Sequence, residues 1–372
     1  MIGANYLGKS MPVTNTSKKY VIMAGGTGGH VNPGIAVAKE LIKQGHKVYW
    51  IGAPSGIEAR LVPKQQIDFY PIDVKSLRGK GLLRSFLMPL ILLKAIWQAY
   101  LVLSKLKPQS VISMGGFVAG PGGIAAWLLG IDLYVHEQNA VAGLTNRWLA
   151  KLAKKVFVAF SPTQKLTVSK AKILETGNPV RAEIMAIPAP DERAIGSHER
   201  LRILVVGGSL GAQAINQVMP QALALLPDGK KPEVWHQTGS KHFAETQKNY
   251  LDKKLNIELV EYIDDMNQAY AFADIVICRA GALTVSELAA VGIASILIPF
   301  PHAVDDHQTK NAQVLTKAGA AVLVKQLDLN PERLAELILQ YIDHPKACLE
   351  MALCARALAK TNATAQVVAA CQ

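Results

Sequence analysis

The sequence predicts an α/β protein built from two doubly wound, Rossmann-like parallel-sheet domains that face each other across a cleft. Two observations carry this. Short apolar, β-branched runs alternate with longer helical patterns along the whole chain, as they do in βαβ units. A strand–glycine turn–helix opening also occurs twice, at residues 20–30 and 202–212. Its first glycines, Gly25 and Gly207, lie 182 positions apart, close to half of the 372 residues. A duplicated pair of domains explains that spacing better than one large sheet does.

In the first half, residues 20–24 (YVIMA) read as a buried strand, GGTGGH as the turn, and 32–44 as a helix closed by Gly45. Strands follow at 47–51, 110–113 and 133–136, the last two running into glycine-rich or polar loops. The second half restarts the same grammar with a strand at 202–206, the turn GGSLGA and a helix at 213–226. Its further strands fall at 233–237, 257–260, 274–278 and 294–298. The Pro- and charge-rich stretch 187–200 reads as the linker. The expected division is therefore a tail over 1–19, a first domain over 20–186, a second over 201–345, and a C-terminal helix over 346–372 that packs back on the first domain. Folds of this kind bind ligands beyond the carboxyl ends of parallel strands, so the cleft is the expected site.

Composition narrows the function. Half the residues are hydrophobic and 18% are charged, which supports packed cores and excludes wholesale disorder. The net charge of +12 is unevenly placed: residues 1–186 carry 23 basic and 8 acidic side chains, residues 187–372 carry 17 and 20. A half at net +15 is expected to face something anionic. Four cysteines without a C-x-x-C pair indicate neither a zinc site nor a disulfide framework, and point to a reduced, cytosolic setting. Residues 1–19 lack the apolar stretch of a secretory signal. The most apolar window, 85–104, is interrupted by Pro89, Lys94 and Gln98, too soon for a spanning helix.

The glycine motifs differ in weight. Gly3, Gly8, Lys9 and Ser10 match the nucleoside-triphosphate P-loop letter for letter. No strand precedes them and Pro12 sits where the helix should start, so the match is read as a decoy. GGTGGH has the right context for close backbone approach and anion binding at a helix start. Val31 stands where the dinucleotide fingerprint needs glycine, and the second loop fails the same test, which argues against a nicotinamide dehydrogenase. A third glycine loop spans 115–123. His30, at a helix start, can bind an anion, act as a base, or simply cap the turn. The tetrad HEQN at 136–139 ends a strand and is read as a ligand-facing loop. Residues 279–287 (RAGALTVSE) open a helix whose free amides suit a pyrophosphate, with Glu287 placed to accept from a ribose diol. Asp305 and Asp306 are read as helix capping rather than metal ligands, and no D-x-D triplet occurs in the chain.

Taken in order, GGTGGH, GGFVAGPGG, HEQNAVAGLTNR, TGNPVR, GGSLGAQAIN, RAGALTVSE and PHAVDDHQTKNA resemble the bacterial peptidoglycan N-acetylglucosaminyltransferase (MurG) family, over about residues 20–320. The resemblance implies the two-domain GT-B architecture. It also implies transfer of GlcNAc from UDP-GlcNAc to the MurNAc C4 hydroxyl of undecaprenyl-diphospho-muramoyl-pentapeptide (lipid I), with inversion, giving lipid II. By the same resemblance Ile263 would read the uracil through its backbone and Glu287 would hold the ribose. Ser209, Arg181 and the helix start Ala282, Leu283, Thr284, Val285 and Ser286 would surround the donor diphosphate. Gln308 and Asn139 would contact the GlcNAc, with Thr27, Gly28 and Gly29 closing from the first domain. Gly26, Gly29, His30, Gly116 and Phe117 would meet the acceptor diphosphate. One departure stands out: Leu210 replaces the glutamine that commonly follows the serine of the GGS loop. No tightly bound cofactor or metal is implied, and UDP-GlcNAc enters as donor substrate. For the base that takes the acceptor proton, His30 leads and Glu137 is second.

Residues 60–110 hold nine basic side chains against Asp68 and Asp73. Lys75, Arg78, Lys80 and Arg84 adjoin the apolar stretch 82–103, the composition of an interfacial element on anionic lipid. No zinc-finger, RNP or basic-zipper pattern supports nucleic acid instead. A peripheral enzyme on the cytoplasmic face of the bacterial inner membrane is expected, with cell-wall synthesis proteins as possible partners. A UDP-GlcNAc epimerase on a similar scaffold is the alternative; it needs neither a lipid acceptor nor a basic apolar ledge.

Overall fold

The computed structural model describes residues 17–74, 82–208 and 211–372, with side chains of the helix beginning at Leu82 described from Met88 onward. The first domain runs β1 (Lys19–Met23), α1 (Gly28–Lys43), β2 (Lys47–Gly52), α2 (Glu58–Leu61), β3 (Asp68–Pro71), α3 (Leu82–Leu106), β4 (Ser110–Ser113), α4 (Ala119–Leu128), β5 (Asp132–Glu137), α5 (Leu144–Leu152), β6 (Lys155–Val158) and β7 (Ile173–Glu175). Then come α6 (Ala182–Met185), β8 (Arg202–Val206), α7 (Gln213–Leu225), β9 (Glu233–Gln237), α8 (Phe243–Asp252), β10 (Glu258–Val260), α9 (Met266–Phe272), β11 (Ile275–Cys278), α10 (Ala282–Val291), β12 (Ala294–Leu297), α11 (His307–Thr316), β13 (Ala321–Leu323), α12 (Pro331–Asp343), α13 (Lys346–Ala357) and α14 (Ala363–Cys371).

The strands form two parallel sheets, ordered β3-β2-β1-β4-β5-β6-β7 and β10-β9-β8-β11-β12-β13. Both are doubly wound, so the strand order reverses between β1 and β4 in one and between β8 and β11 in the other. Ligand crevices form at such switch points, because the connections there leave to opposite faces of the sheet. Residues alternate between the two faces of each sheet. Tyr20 and Ile22 join Trp50 and Phe157 on one side of the first sheet, while Val21 and Met23 join Ile51 and Val135 on the other. Ile203 and Val205 are likewise split from Leu204 in the second. Strands β3, β6, β7 and β13 go beyond those expected. Three are sheet edges of three or four residues, too short for a clear period, and β6 follows its helix without a glycine break.

The chain crosses between domains earlier than its composition suggests. Val180, Ile184 and Ile187 are buried in the second domain's core, so the first domain's own residues end before the expected boundary at 186. The spacing of these apolar residues seats α6 against α9 and α10 and overrides the Pro-rich signal that follows. The stretch expected as a linker is itself packed: Ile195 is in the core, and Arg193 donates to the carbonyls of Tyr270, Val291 and Gly292. Of the C-terminal residues, α13 stays with the second domain, through Cys348, Ala352 and Ala355. Only α14 returns to the first, where Val367, Val368 and Cys371 enter the core beside α1.

Helix α3 has Ala95, Ala99, Leu103 and Leu106 buried on one face, while Leu90, Leu93, Trp97 and Leu101 are exposed. Among the described residues, Met88–Leu106 alone is long and apolar enough to cross a membrane by length and composition. Its buried face is part of the first domain's core, so it lies against the sheet as a surface helix.

Candidate active site

At the first switch point, the loops after β1 and β4 are pressed together. Gly26, Gly115 and Gly116 have φ of +100°, +93° and +87°, values that favour glycine. A Cβ on Gly116 would collide with the carbonyl of Gly25, and one on Gly115 would come within 2.8 Å of the His30 ring. Thr27 is the N-cap of α1; its carbonyl accepts from the His30 and Val31 amides, and its hydroxyl lies 3.3 Å from His30 Nδ1. His30 is therefore half-buried between two glycine turns. Burial first, and His307 of the second domain next, push its pKa down to about 4. The imidazole is neutral near pH 7, the state a base requires, though a lower pKa also weakens the base. Gly26, expected at the acceptor diphosphate, donates its amide inward to the buried carboxylate of Glu58 at 3.2 Å. That donor is already taken. Phe117, just past the second turn, is exposed.

The polar tetrad at the end of β5 is mostly buried and internally engaged. Glu137 Oε1 accepts from the Asn139 amide (2.9 Å) and Asn139 Nδ2 (3.2 Å), and Oε2 from the Gly143 amide (3.0 Å) and Asn146 Nδ2 (2.9 Å). Those four bonds fill the acceptor sites of one carboxylate. Burial raises its pKa, opposed by the same bonds. Glu137, expected as a second base, clamps the loop through these four bonds. His136 Nε2 bonds the Gly177 carbonyl at 3.0 Å, and burial holds this ring too at about 4.

At the second switch point α10 begins after Gly281, and its first amides lack partners within the helix, as at any helix start. Its C-terminal carbonyls are held by Arg193, and Arg356 bonds the Ala290 carbonyl, so cations sit at the negative end of the dipole. Glu287 is buried; it accepts from Arg181 Nη2 and from the Tyr270 hydroxyl, each at 3.1 Å. Burial raises its pKa, with Arg181 acting in the opposite direction. The residues expected at ribose and diphosphate are thus paired with each other here. Ile263 is buried in the loop after β10, and Gln308 Oε1 accepts from the Phe300 amide. Ser209 and Leu210 lie outside the described residues, as do the decoy at 3–10 and Lys75, Arg78 and Lys80; the Arg84 side chain is likewise not described.

The domains meet through polar groups that sequence reasoning missed. Asn311 is fully buried: its Oδ1 accepts from the Ala140 amide (2.9 Å), and its Nδ2 donates to Asn139 Oδ1 and the Ala280 carbonyl (3.2 Å each). Asn139, expected at GlcNAc, therefore has both ends of its amide engaged, one on Glu137 and one on Asn311. Asn178 Nδ2 reaches Gln138 O, Ala282 O and Ser286 Oγ. The only hint of Asn311 was its place one turn after Gln308, on the same helical face. Asp305 corrects the capping expectation, for it pairs with Lys165 (2.6 Å) and Arg147 (3.4 Å) of the first domain. Asp306 occupies the N-cap position of α11 but makes no side-chain cap bond; it accepts from Thr309 Oγ1 instead. Both aspartates have φ near +50°, which turns them from the usual cap geometry.

Gln138 Oε1, Asn146 Oδ1, Asn178 Oδ1 and His136 Nδ1 are buried without a protein partner, all within this wall of the cleft. Among the described residues no cluster of metal-ligating side chains forms.

Residues 20–158 match the glycosyltransferase family 28 N-terminal domain, and residues 202–367 its C-terminal domain. The chain is 50% identical over 355 residues to a UDP-N-acetylglucosamine–N-acetylmuramyl-(pentapeptide) pyrophosphoryl-undecaprenol N-acetylglucosamine transferase of Marinobacter nauticus, covering 95% of this chain and 97% of that one. A transferase of the same description from Cupriavidus necator is 51% identical over 351 residues, covering 94% and 96%. The crystal structure of Acinetobacter baumannii MurG superposes with a TM-score of 0.80 at 43% identity, covering 95% and 99%.

Proposed function

The chain belongs to the MurG family of GT-B glycosyltransferases, and on that premise we propose that its cleft transfers GlcNAc from UDP-GlcNAc to the MurNAc C4 hydroxyl of lipid I, forming lipid II with inversion. The observation that carries this reading is half identity over nearly the whole length of relatives named for that transfer. In the proposed step, the C4 oxygen forms its bond to the anomeric carbon as the bond to the UDP oxygen breaks. The departing diphosphate gains charge, which the amides and dipole of α10 stabilise from a fixed orientation.

His30 takes the C4 proton. In the tautomer whose Nδ1–H donates to the Thr27 hydroxyl, 3.3 Å away, Nε2 keeps its lone pair for that transfer. Arg181 and Glu287 exchange partners when the nucleotide enters, Arg181 turning to the diphosphate and Glu287 to the ribose diol, so that neither buried charge is left uncompensated. Gln308 and Asn139 meet the GlcNAc, the uracil lies against the Ile263 backbone, and Thr27–Gly29 close over the donor.

The exposed face of α3, continued by Trp127 and Leu128 of the adjoining α4, is the proposed contact with the anionic cytoplasmic face of the inner membrane, where a lipid-linked acceptor resides. Labelled UDP-GlcNAc with and without lipid I tests the assignment. Acceptor-dependent incorporation is expected; conversion of the sugar without acceptor would overturn it in favour of an epimerase.

A further inference from the structure

Glu58 lies in α2, outside every motif discussed so far. It is fully buried, and both of its hydrogen bonds go to backbone amides: Oε1 accepts from Ala53 (3.0 Å), Oε2 from Gly26 (3.2 Å). Three glycines make room for it. A Cβ on Gly25 would lie 2.5 Å from its carboxylate, one on Gly52 2.8 Å from its Cγ, and one on Gly56 would overlap the carboxylate itself. A buried ionisable group with space cleared on three sides needs an account, since a carboxylate is expensive to bury without donors in place.

The bonds join two loops. Ala53 follows β2, and Gly26 is the residue before the N-cap of α1. From Gly26 the connection runs to Thr27, whose carbonyl and hydroxyl both hold His30. On its other side the loop meets Gly116, at the Gly25 carbonyl. We propose that Glu58 is the positioning residue of this glycine loop: its carboxylate fixes the Gly26 amide from below and thereby sets where Thr27 and His30 stand against the 115–116 turn. It touches no substrate. The proposal rests on the reading of His30 as the base.

Two variants test it. Glu58→Gln keeps the shape but turns an NH₂ group towards an N–H. Gly56→Ala leaves the charge and displaces the carboxylate. Each is expected to lower kcat on the order of a hundredfold, the usual cost of an ångström-scale misplacement. UDP affinity, carried by the second domain, should stay within twofold. The His30 ring titration, followed by NMR, should move upward from about 4 towards the free value. Turnover within twofold of the parent would overturn the proposal, as would a fall in UDP affinity that matches the fall in turnover. If Glu58→Gln does not fold, Gly56→Ala decides alone. If the parent shows no acceptor-dependent transfer, the functional reading fails on its own, and an unmoved His30 titration still refutes the role of Glu58.

Discussion

In the first domain, the buried acids Glu58 and Glu137 are answered by amides, from backbone or asparagine. In the second, Glu287 is met by Arg181, and Asp274 by His198 at 2.8 Å beside the amides of Gly196 and Arg202. The first domain thus sets no cation against these two acids. In the second domain the partner of Glu287 is itself a cation, Arg181. Amide-held carboxylates are also fixed in geometry and suit a loop that must stay put. An ion pair can trade one partner for another, which suits a pocket that a nucleotide enters.

The comparison can be broken most sharply at His30. His30→Ala is expected to cut kcat by about 10²–10⁴-fold while UDP binding, measured calorimetrically, survives. Loss of both together would remove the division of labour between the domains. Arg181→Met should destabilise by up to about 3 kcal/mol, because it strands the Glu287 carboxylate. Chemical denaturation across pH checks this, and the loss should shrink in acid as Glu287 takes a proton.

Asn311→Ala removes the shared amide between domains and leaves the Ala140 N–H and Ala280 carbonyl unpaired. A cost of about 1–3 kcal/mol is expected, with transfer reduced more than UDP affinity.

Three imidazoles test the comparison by pH. His30 and His136 are held at about 4 and His236 of the second domain at about 3, all chiefly by burial. Between those values and 6.5 the unfolded chain binds protons that the folded one does not, so these groups make stability rise with pH through that window and level off above it. Raised Glu137 and Glu287 act in the opposite sense: the fold keeps their protons above the ordinary 4.5, and stability declines as pH rises from there through their folded values. His236→Gln should therefore flatten the acid limb by about 1.4 kcal/mol per pH unit without touching turnover, read from unfolding midpoints. The smallest expected change in stability, within about 0.5 kcal/mol, is for Leu93→Glu with Trp97→Glu on α3. Their effect should appear instead as lost sedimentation with anionic vesicles.

Much of the fold was legible because it repeats: two strand–glycine–helix openings at half-chain spacing foretell two sheets, and the loops beyond their strands foretell the cleft. Glu58 was not legible. Nothing in SGIEARL separates a buried acid from a solvated one; the difference lies in Gly25 and Gly52, brought to it by strand pairing. Asn311 and Asp305 escaped for a related reason, since their partners sit 140 to 172 positions away in the other domain. The capping signal at Asp305 was local and real, but Lys165 and Arg147 outbid it. Glu137 shows the opposite case, a residue found by its neighbours, whose bonds to those same neighbours the sequence does not reveal.

Helix α14 ends the chain on the domain where it began, with Gln372 bonded to Gln44 and His46, so two strands of polypeptide span the gap rather than one. A single tether permits swivelling as well as bending; a pair of tethers behaves like a door on two pins and leaves mainly one axis of swing. A closure about that axis would bring α10 and His30 together along a single arc.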